Sequence, residues 1–393
     1  MSKKIVFLVF TIFFINLVSS AHYITGYAKD ALDGESANNH IVTLWNEVTG
    51  VLDNVSVVIG PSGPAGYDNV YLIDCEMLDS PCVVGDNLSL YIFDSGDNYV
   101  GKNIINIVVS GHGYDLVYEN ISLNSPVNFE NITVDDDFNV VENEIDLIID
   151  STRKVYCSAI VREFDGESIY SVYSEFYDFS DSYFGDIDDN NLHYTNSSCS
   201  IDTNYGDENE SEIVCSYDIF YYSDPGQWIC EMNVSDGNIG NFANDMSDIN
   251  SLLALEVADN INFSAESSGN VSDEEEVVVR NVGNVEIDLG LSGYGSESND
   301  GLAMVCSGSQ DIPVYYKKYN LTSSTSGALD LSGFENNYIN LTSSSFTNDF
   351  NLSYRHDDVS DEAFRSTFWR IYVPDSVSGM CSGNIVFSAV MSS

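Results

Sequence analysis

The sequence predicts an all-β protein made of three tandem β-sandwich domains. Its 393 residues suffice for two to four domains, and its 44% hydrophobic content suffices for packed cores. Tyr, Phe, Val, Ile, Asn, Ser and Asp are abundant while Lys, Arg and Ala are scarce, which favours strands and turns over helices. The eight cysteines fall in even groups along the chain, as expected for domains that are each closed by disulfides.

The chain begins with the pattern of a secretory signal peptide over residues 1–21. Two lysines precede an apolar run of about fourteen residues, and small residues up to Ala21 form a cleavage site. The run is short for a transmembrane helix, and no second run of spanning length follows. We therefore expect an exported chain that begins near His22, lies at or beyond the outer face of the cell envelope, and has no transmembrane anchor.

The charge balance limits the possible partners. There are 62 acidic against 13 basic residues. Such a surface repels nucleic acid and anionic lipid headgroups, keeps an exported protein soluble and attracts divalent cations. Nucleic-acid binding is therefore excluded as a function.

The first domain is predicted over residues 22–124. Strand-like segments at 24–30 and 41–45 flank a turn-rich link at 33–38, and this opening resembles the prealbumin-like sandwiches of many surface proteins. Further strands are predicted in three segments: 69–73, 88–93 and 104–109. The Gly- and Pro-rich segment 60–66 is predicted to be a loop.

The central domain is predicted over residues 138–249, after a linker at 125–137. The segment Asp224-Pro-Gly-Gln-Trp-Ile-Cys230 resembles strand F of immunoglobulin-like sandwiches, in which a cysteine pairs with one on strand B. Cys157, about seventy residues earlier in an alternating segment, is the partner that the resemblance implies. Trp228 stands where the family has its corner Tyr, and either Tyr170 or Tyr173 stands where strand C would carry a core Trp.

The third domain is predicted over residues 252–393. Alternating segments at 274–279 and 285–291 flank a Gly- and Asn-bearing turn and predict a hairpin. This segment resembles hairpins of immunoglobulin-like modules in microbial envelope proteins, archaeal ones especially. Late strands are expected at 368–374 and 384–391, and the Ser-, Thr- and Gly-rich segment 323–345 is expected to project as loops.

The cysteine spacing predicts four disulfides in an oxidising compartment. The expected pairs are Cys75–Cys82, Cys157–Cys230, Cys199–Cys215 and Cys306–Cys381. The four cysteines of the central domain also permit two other connectivities. Structural zinc is disfavoured because no Cys-x-x-Cys or His-x-x-x-His spacing occurs.

Twelve Asn-x-Ser/Thr sequons run through the mature chain, which predicts an N-glycosylated protein. They are Asn54, Asn87, Asn120, Asn131, Asn196, Asn209, Asn233, Asn262, Asn270, Asn320, Asn340 and Asn351.

One acidic segment has partial calcium-loop spacing. Asp186, Asp188 and Asn190 occupy the first three ligand positions of an EF-hand loop, but Asn191 replaces the Gly and Ser197 replaces the bidentate Glu. An EF-hand is excluded, and the alternatives are an irregular calcium loop and a solvated turn.

The catalytic motifs of serine hydrolases, zinc proteases and P-loop enzymes do not occur. A mature N-terminal His22 resembles the copper-binding histidine brace of lytic polysaccharide monooxygenases. His40, His112, His193 and His356 are candidate second ligands, although none has a recognisable brace context.

The leading hypothesis is a non-catalytic, exported cell-surface protein with a structural or adhesive role, whose partners are other surface proteins or copies of itself. The alternative is a set of glycan- or protein-binding modules that use aromatic loops such as 170–184, with or without calcium. A secreted copper enzyme is a minor alternative.

Overall fold

The structure is a computed structural model that describes residues 21–93, 99–136, 144–264, 266–323, 326–356 and 360–392. The predicted signal peptide lies outside the described residues except for Ala21, as does Asp137 of the predicted linker. Within the described ranges the chain is all-β apart from helix α1 (Leu331–Asn337) and short 3₁₀ turns, which confirms the predicted fold class of tandem β-sandwiches. No described helix is both long and apolar enough to cross a membrane.

The first sandwich packs two sheets around one apolar core. Its strands are β1 (Tyr23–Lys29), β2 (Ile41–Asn46), β3 (Asn54–Val58), β4 (Val70–Asp74), β5 (Asn87–Ile92), β6 (Ile105–Val108), β7 (Tyr114–Leu116) and β8 (Ile121–Ser122). One sheet has the order β4-β1-β7, with β8 also on β1, and the other has the order β3-β2-β5-β6. Alternation drives this arrangement: Val42 and Leu44 of β2 are fully buried, whereas their neighbours are half-buried.

The five strands predicted for this sandwich are confirmed, and β3, β7 and β8 are additional. The parallel pairing of β1 with β7 and β8 joins the start of the domain to its end. Cys75 and Cys82 form the predicted disulfide across a single 3₁₀ turn.

The central sandwich has the strand order of an immunoglobulin domain. Its strands are β9 (Asn128–Asp135), β10 (Glu144–Ile145), β11 (Thr152–Arg162), β12 (Ser171–Asp178), β13 (His193–Asn196), β14 (Ser200–Asp202), β15 (Glu210–Phe220), β16 (Gly226–Ser235) and β17 (Gly240–Ile249). The sheet β9-β11-β15-β14 corresponds to strands A, B, E and D, and β12, β16 and β17 correspond to C, F and G of the other sheet. That second sheet also carries β10 and β13 at its edges.

The predicted cross-core disulfide joins Cys157 on β11 to Cys230 on β16, and Cys199 is bonded to Cys215 as predicted. Trp228 is fully buried, and its indole N–H donates a hydrogen bond to the backbone carbonyl of Asp224 (2.9 Å). The indole therefore makes the side chain-to-backbone bond that a corner tyrosine makes through its hydroxyl.

The expected core aromatic of strand C was assigned to the wrong residues. Tyr170 and Tyr173 are 79% and 37% exposed, whereas Phe176 is fully buried with its ring centroid 4.9 Å from that of Trp228. Tyr170 precedes β12, and Tyr173 lies three residues before Phe176, so its side chain points to the opposite face of the sheet.

The third sandwich has a five-stranded sheet, β18-β19-β26-β23-β24, that faces the three-stranded sheet β25-β20-β28 across an apolar core. A small sheet, β22-β21-β27, carries the predicted Cys306–Cys381 disulfide. The strands are β18 (Leu255–Val257), β19 (Glu275–Asn281), β20 (Ile287–Tyr294), β21 (Leu302–Cys306), β22 (Ile312–Pro313), β23 (Lys317–Asn320), β24 (Ile339–Asn340), β25 (Phe346–Leu352), β26 (Phe364–Ile371), β27 (Cys381–Ser382) and β28 (Asn384–Met391).

Two expectations for this domain are wrong. β19 and β20 lie in opposite sheets, so the segment between them is a crossover and not a hairpin turn. Burial explains the difference, because Asn281 and Asn284 of the predicted turn are fully buried, whereas the residues of a hairpin turn lie at the surface. The segment 323–345 includes α1 and β24, and Phe334 of α1 is fully buried, so this part of the chain covers the core.

The chain divides into two compact units. The first comprises residues up to 128 together with 162–171 and 234–241, and the second comprises 129–161, 172–233 and 242–393. The central and third sandwiches thus belong largely to one unit.

Candidate functional site

The predicted calcium ligands lie in the connection between β12 and β13, where their side chains bond to the protein itself. The Asp186 carboxylate accepts hydrogen bonds from the backbone N–H of Tyr183 (2.8 Å) and the hydroxyl of Ser182 (3.3 Å). The Asp188 carboxylate accepts one from the hydroxyl of Thr195 (3.2 Å). These are the bonds of a closed turn.

Asn190 is tied to the strands beside it. Its backbone carbonyl accepts hydrogen bonds from the hydroxyls of Tyr194 (2.6 Å) and Ser223 (3.0 Å). Within the described ranges, no group of three or more His, Cys, Asp or Glu side chains is arranged to hold a metal ion. Calcium binding by Asp186, Asp188 and Asn190 therefore stays a prediction.

A buried polar network under the same connection was not predicted from the sequence. Glu175 on β12 and His193 on β13 are 0% and 1% exposed, and Nε2 of His193 lies 3.2 Å from Oε2 of Glu175. Nδ1 of His193 lies 2.8 Å from the hydroxyl oxygen of Ser182, and the N–H of Gly185 donates to the Glu175 carboxylate at 2.6 Å. The contacts of Ser182 with His193 and of Gly185 with Glu175 therefore hold the β12–β13 connection on the sheet. The only sequence signal was a Glu inside an aromatic strand segment.

Two tyrosines contact the charged and polar groups of this network. The Tyr173 hydroxyl donates to Glu175 (2.5 Å), and this bond, with burial, raises the pKa of Tyr173 to about 12. Tyr177 stacks on the His193 ring, and burial, with the Glu231 carboxylate, raises the pKa of Tyr177 to about 12. Both phenols therefore remain protonated donors at neutral pH.

Ser182, His193 and Glu175 bring together the hydroxyl, imidazole and carboxylate series of a nucleophilic triad, but Nε2 of His193 makes no described hydrogen bond to Glu175. A nucleophile must be reachable by its substrate, and Ser182 is only 4% exposed. Its hydroxyl is also engaged by the Asp186 carboxylate. The series is thus a structural clamp on the β12–β13 connection.

Above the clamp the connection exposes apolar side chains. Phe179, Tyr183, Phe184 and Ile187 are 52%, 70%, 40% and 89% exposed. Rings presented in this way can stack on sugars or pack on a protein partner.

The central and third sandwiches meet at a hydrogen-bonded junction around the fully buried Asn284. Its side-chain oxygen accepts from the N–H of Leu252 (2.6 Å), and its amide donates to the carbonyls of Ser223 (3.0 Å) and Asn250 (3.2 Å). A Cβ on the preceding Gly283 would lie 1.9 Å from the Leu252 carbonyl oxygen, so this close approach requires glycine.

Two more side chains cross the same junction. The Asn191 amide donates to the carbonyls of Tyr222 (2.7 Å) and Arg355 (2.9 Å). The Arg280 guanidinium donates to the hydroxyl of Tyr221 (2.9 Å). An apolar cluster fills the space between them, composed of Tyr221, Tyr222, Ala254 and Val282 with Phe220, Leu252 and Tyr354 at its rim. The two sandwiches are therefore packed together and not strung on a free linker.

Four of the five histidines proposed for copper, among them His193 of the network above, have other partners. The backbone N–H of His22 donates to Asp74 (3.1 Å), and Nε2 of His22 lies 2.8 Å from Oδ2 of Asp115. The ring of His40 packs against Tyr99, and that of His356 packs against Tyr354. The copper brace stays a hypothesis.

All twelve sequon asparagines are reachable from solvent. Asn196, Asn209 and Asn320 are half-buried, and the other nine are exposed. Their placement therefore permits glycosylation at each site.

The chain is an all-β protein of consecutive, disulfide-bridged sandwiches. The buried polar groups around Glu175 hold the β12–β13 connection in place, and those around Asn284 hold two domains together. No protein-family model matches the chain, and no curated protein matches it.

Among solved structures, the chain is similar to the full-length major pilin SpaD from Corynebacterium diphtheriae, with 8% identity, coverage of 95% of this chain and 87% of that chain, and a TM-score of 0.28. It is similar to BcpA, the major pilin subunit of Bacillus cereus, with 6% identity, coverage of 94% and 95%, and a TM-score of 0.30. A third is a complex of chaperone and tip adhesion subunit from Csu pili of Acinetobacter baumannii, with 11% identity, coverage of 63% and 96%, and a TM-score of 0.29. At these scores the similarities assign no function.

Proposed function

We propose that the chain is a non-catalytic, exported cell-surface protein with a structural or adhesive role, carrying N-linked glycans on its outer surface. The observation that carries this proposal is the junction between the central and third sandwiches. Buried hydrogen bonds and an apolar cluster join two domains that each have a disulfide of their own. Consecutive domains joined in this way are packed against each other, which suits a structural role.

Three further features support this proposal. Disulfides persist in oxidising compartments outside the cytosol, and all eight cysteines are paired. The sequon side chains are not buried, so glycans can be attached without unfolding a sandwich. The buried network at Glu175 favours a packing role over catalysis, because the Ser182 hydroxyl is enclosed. In more detail, we propose that the first domain is prealbumin-like and that the third is related to immunoglobulin-like modules of archaeal envelope proteins.

The location of the native protein tests the proposal directly. Antibodies to the mature chain should label intact cells as strongly as permeabilised cells, and protease added outside intact cells should remove the label. A cytosolic protein, stained in parallel, controls for leakage. Labelling that requires permeabilisation would refute the proposal. Intact-protein mass spectrometry of the native chain should show mass added at the sequons.

A glycan- or protein-binding role is the second candidate, favoured by the exposed rings around Tyr183. Retention of the mature chain on a glycan array, with and without calcium, tests it. Tyr183→Ala should abolish retention, whereas Tyr67→Ala, which removes a ring of similar exposure (74%) from the first sandwich, should not. Retention that is lost on chelation of calcium and restored when calcium is added back would support the prediction of calcium binding.

A further inference from the structure

The last strand of the third sandwich leaves one edge of its sheet open. β28 pairs antiparallel with β20 over eight residues, from Asn384 opposite Tyr294 to Met391 opposite Ile287. It ends the order β25-β20-β28, and no described backbone group pairs with its other edge. An open edge presents a row of N–H and C=O groups that can pair with another strand.

The core is also incompletely covered beside this edge. Ile385, Phe387 and Ala389 face the core from β28 but are only half-buried, whereas Leu289 and Leu291 on β20 are fully buried. A groove of about 350 Å³ lies next to β28, with an apolar part formed by Val257, Ile261, Phe263, Met304, Ile385 and Phe387. A strand added to β28 would cover these half-buried side chains.

The other long edges of the described sheets are protected and β28 is not. Besides β28, two edge strands in the described ranges have six or more residues, namely β9 and β25. β9 carries Glu130, Asp135 and the sequon Asn131, and β25 carries Asp349 and the sequon Asn351. Charge and bulky glycans on an edge prevent pairing with another chain. β28, Asn-Ile-Val-Phe-Ser-Ala-Val-Met, has neither.

We propose that β28 is a self-association edge, at which a second copy of this chain adds its own β28 in antiparallel orientation. Charge permits a second copy at this place, because β28 carries no carboxylate that would meet its like in a chain with a net charge of −49, although Asp259 lines the groove beside it.

The sequence of β28 is also self-complementary in polarity. In an antiparallel pair centred on Phe387, each Ile385 lies opposite Ala389 of the other copy and each Val386 opposite Ser388. Apolar residues then meet on the core face along a two-fold axis, which is the isologous contact of a symmetric dimer. The inference deepens the self-assembly part of the proposed function, but it depends only on this edge and not on where the cell places the protein.

Sedimentation equilibrium of the mature chain tests the edge. The parent keeps its native Asn262, and the same measurements on Asn262→Gln, which removes a sequon bordering the cavity next to this groove, show whether a glycan there changes the dissociation constant. We expect a monomer–dimer equilibrium, and we expect Val386→Lys to raise its dissociation constant at least about tenfold, because an edge lysine opposes strand addition.

The control is Tyr23→Lys. Tyr23 is 41% exposed, as is Val386, but its backbone lies between two paired strands, opposite Asp74 of β4 and Tyr114 of β7. This variant should dimerise as the parent does. A parent that stays monomeric up to about 100 μM, or a dimer that Val386→Lys leaves intact, would overturn the proposal.

Cysteine cross-linking tests the register independently. A mixture of Val386→Cys and Ser388→Cys chains should form an intermolecular disulfide faster than either variant alone, because these positions face each other across the two-fold axis. Equal rates would overturn the register centred on Phe387. Surface labelling of cells remains the separate test of the proposed function, so the two can fail independently.

Discussion

Replacement of Glu163 by Gln should stabilise the protein at alkaline pH and remove a pH dependence of its stability. Glu163 follows β11 directly and is 6% exposed. Its Oε1 accepts the N–H of Asp165 (2.8 Å), whereas its Oε2 is buried with no described hydrogen-bond partner. Burial, together with the carboxylates of Asp236, Asp165 and Glu167, raises the pKa of Glu163 to about 7.

The sign of the effect follows from proton binding. Between the ordinary pKa of 4.5 and about 7, the unfolded chain has released this proton while the folded chain still holds it. The free energy of unfolding therefore falls as pH rises through this window and is constant above it. A shift of this size corresponds to about 3 kcal/mol, at about 1.4 kcal/mol per pH unit.

The variant Glu163→Gln keeps an acceptor for the Asp165 N–H and cannot ionise. We expect it to match the wild type near pH 4.5 and to exceed its free energy of unfolding by about 2–3 kcal/mol at pH 8. Glu119→Gln, which changes an exposed carboxylate of the same compact unit, should have no such effect.

Differential scanning calorimetry of the mature chain at several pH values between 4.5 and 8 measures this. The transition that responds to Glu163→Gln should move to higher temperature in the variant only above about pH 5. Equal shifts at all pH values would refute the reasoning, because they would show a change in packing and not in proton binding.

Three more substitutions have defined outcomes. Trp228→Phe should cost about 2–3 kcal/mol in a denaturant titration, since it removes the donor to the carbonyl of the half-buried Asp224 and opens a cavity in the core, and a loss below about 1 kcal/mol would contradict this. Asn284→Ala should cost about 2–4 kcal/mol and separate the calorimetric transitions of the central and third sandwiches, so an unchanged scan would contradict the junction's role. Lys317, 1% exposed, has a pKa lowered to about 8 by burial, so wild-type stability should rise between pH 8 and 10.5; Lys317→Met should remove this rise, and its persistence in the variant would contradict the argument.

The sequence predicted those parts of the fold that depend on local pattern and on covalent chemistry. Alternating apolar residues identified strands such as β2 and β28, because alternation is visible within one strand. The cysteine pairs followed from even grouping and from the resemblance of the segment ending at Cys230 to strand F.

The candidate site was predicted less well, because its bonds join residues far apart in sequence. The spacing of Asp186, Asp188 and Asn190 indicated ligands, but their actual partners include Thr195 and Ser223, which the spacing could not specify. The buried network at Glu175 left hardly any signal, since a single Glu in a strand is usually solvated.

The sequence by itself determined the all-β class, the even grouping of the cysteines and the positions of the Asn-x-Ser/Thr sequons, because each depends on composition, alternation or short motifs. Only the tertiary structure decided which sheet each strand joins. The segment from Asn281 to Asn284 carries the residues of a turn, yet it crosses between sheets and seals a domain junction. Its hydrogen bonds reach Ser223, about sixty residues away, and contacts at that separation are formed by packing and not by local propensity.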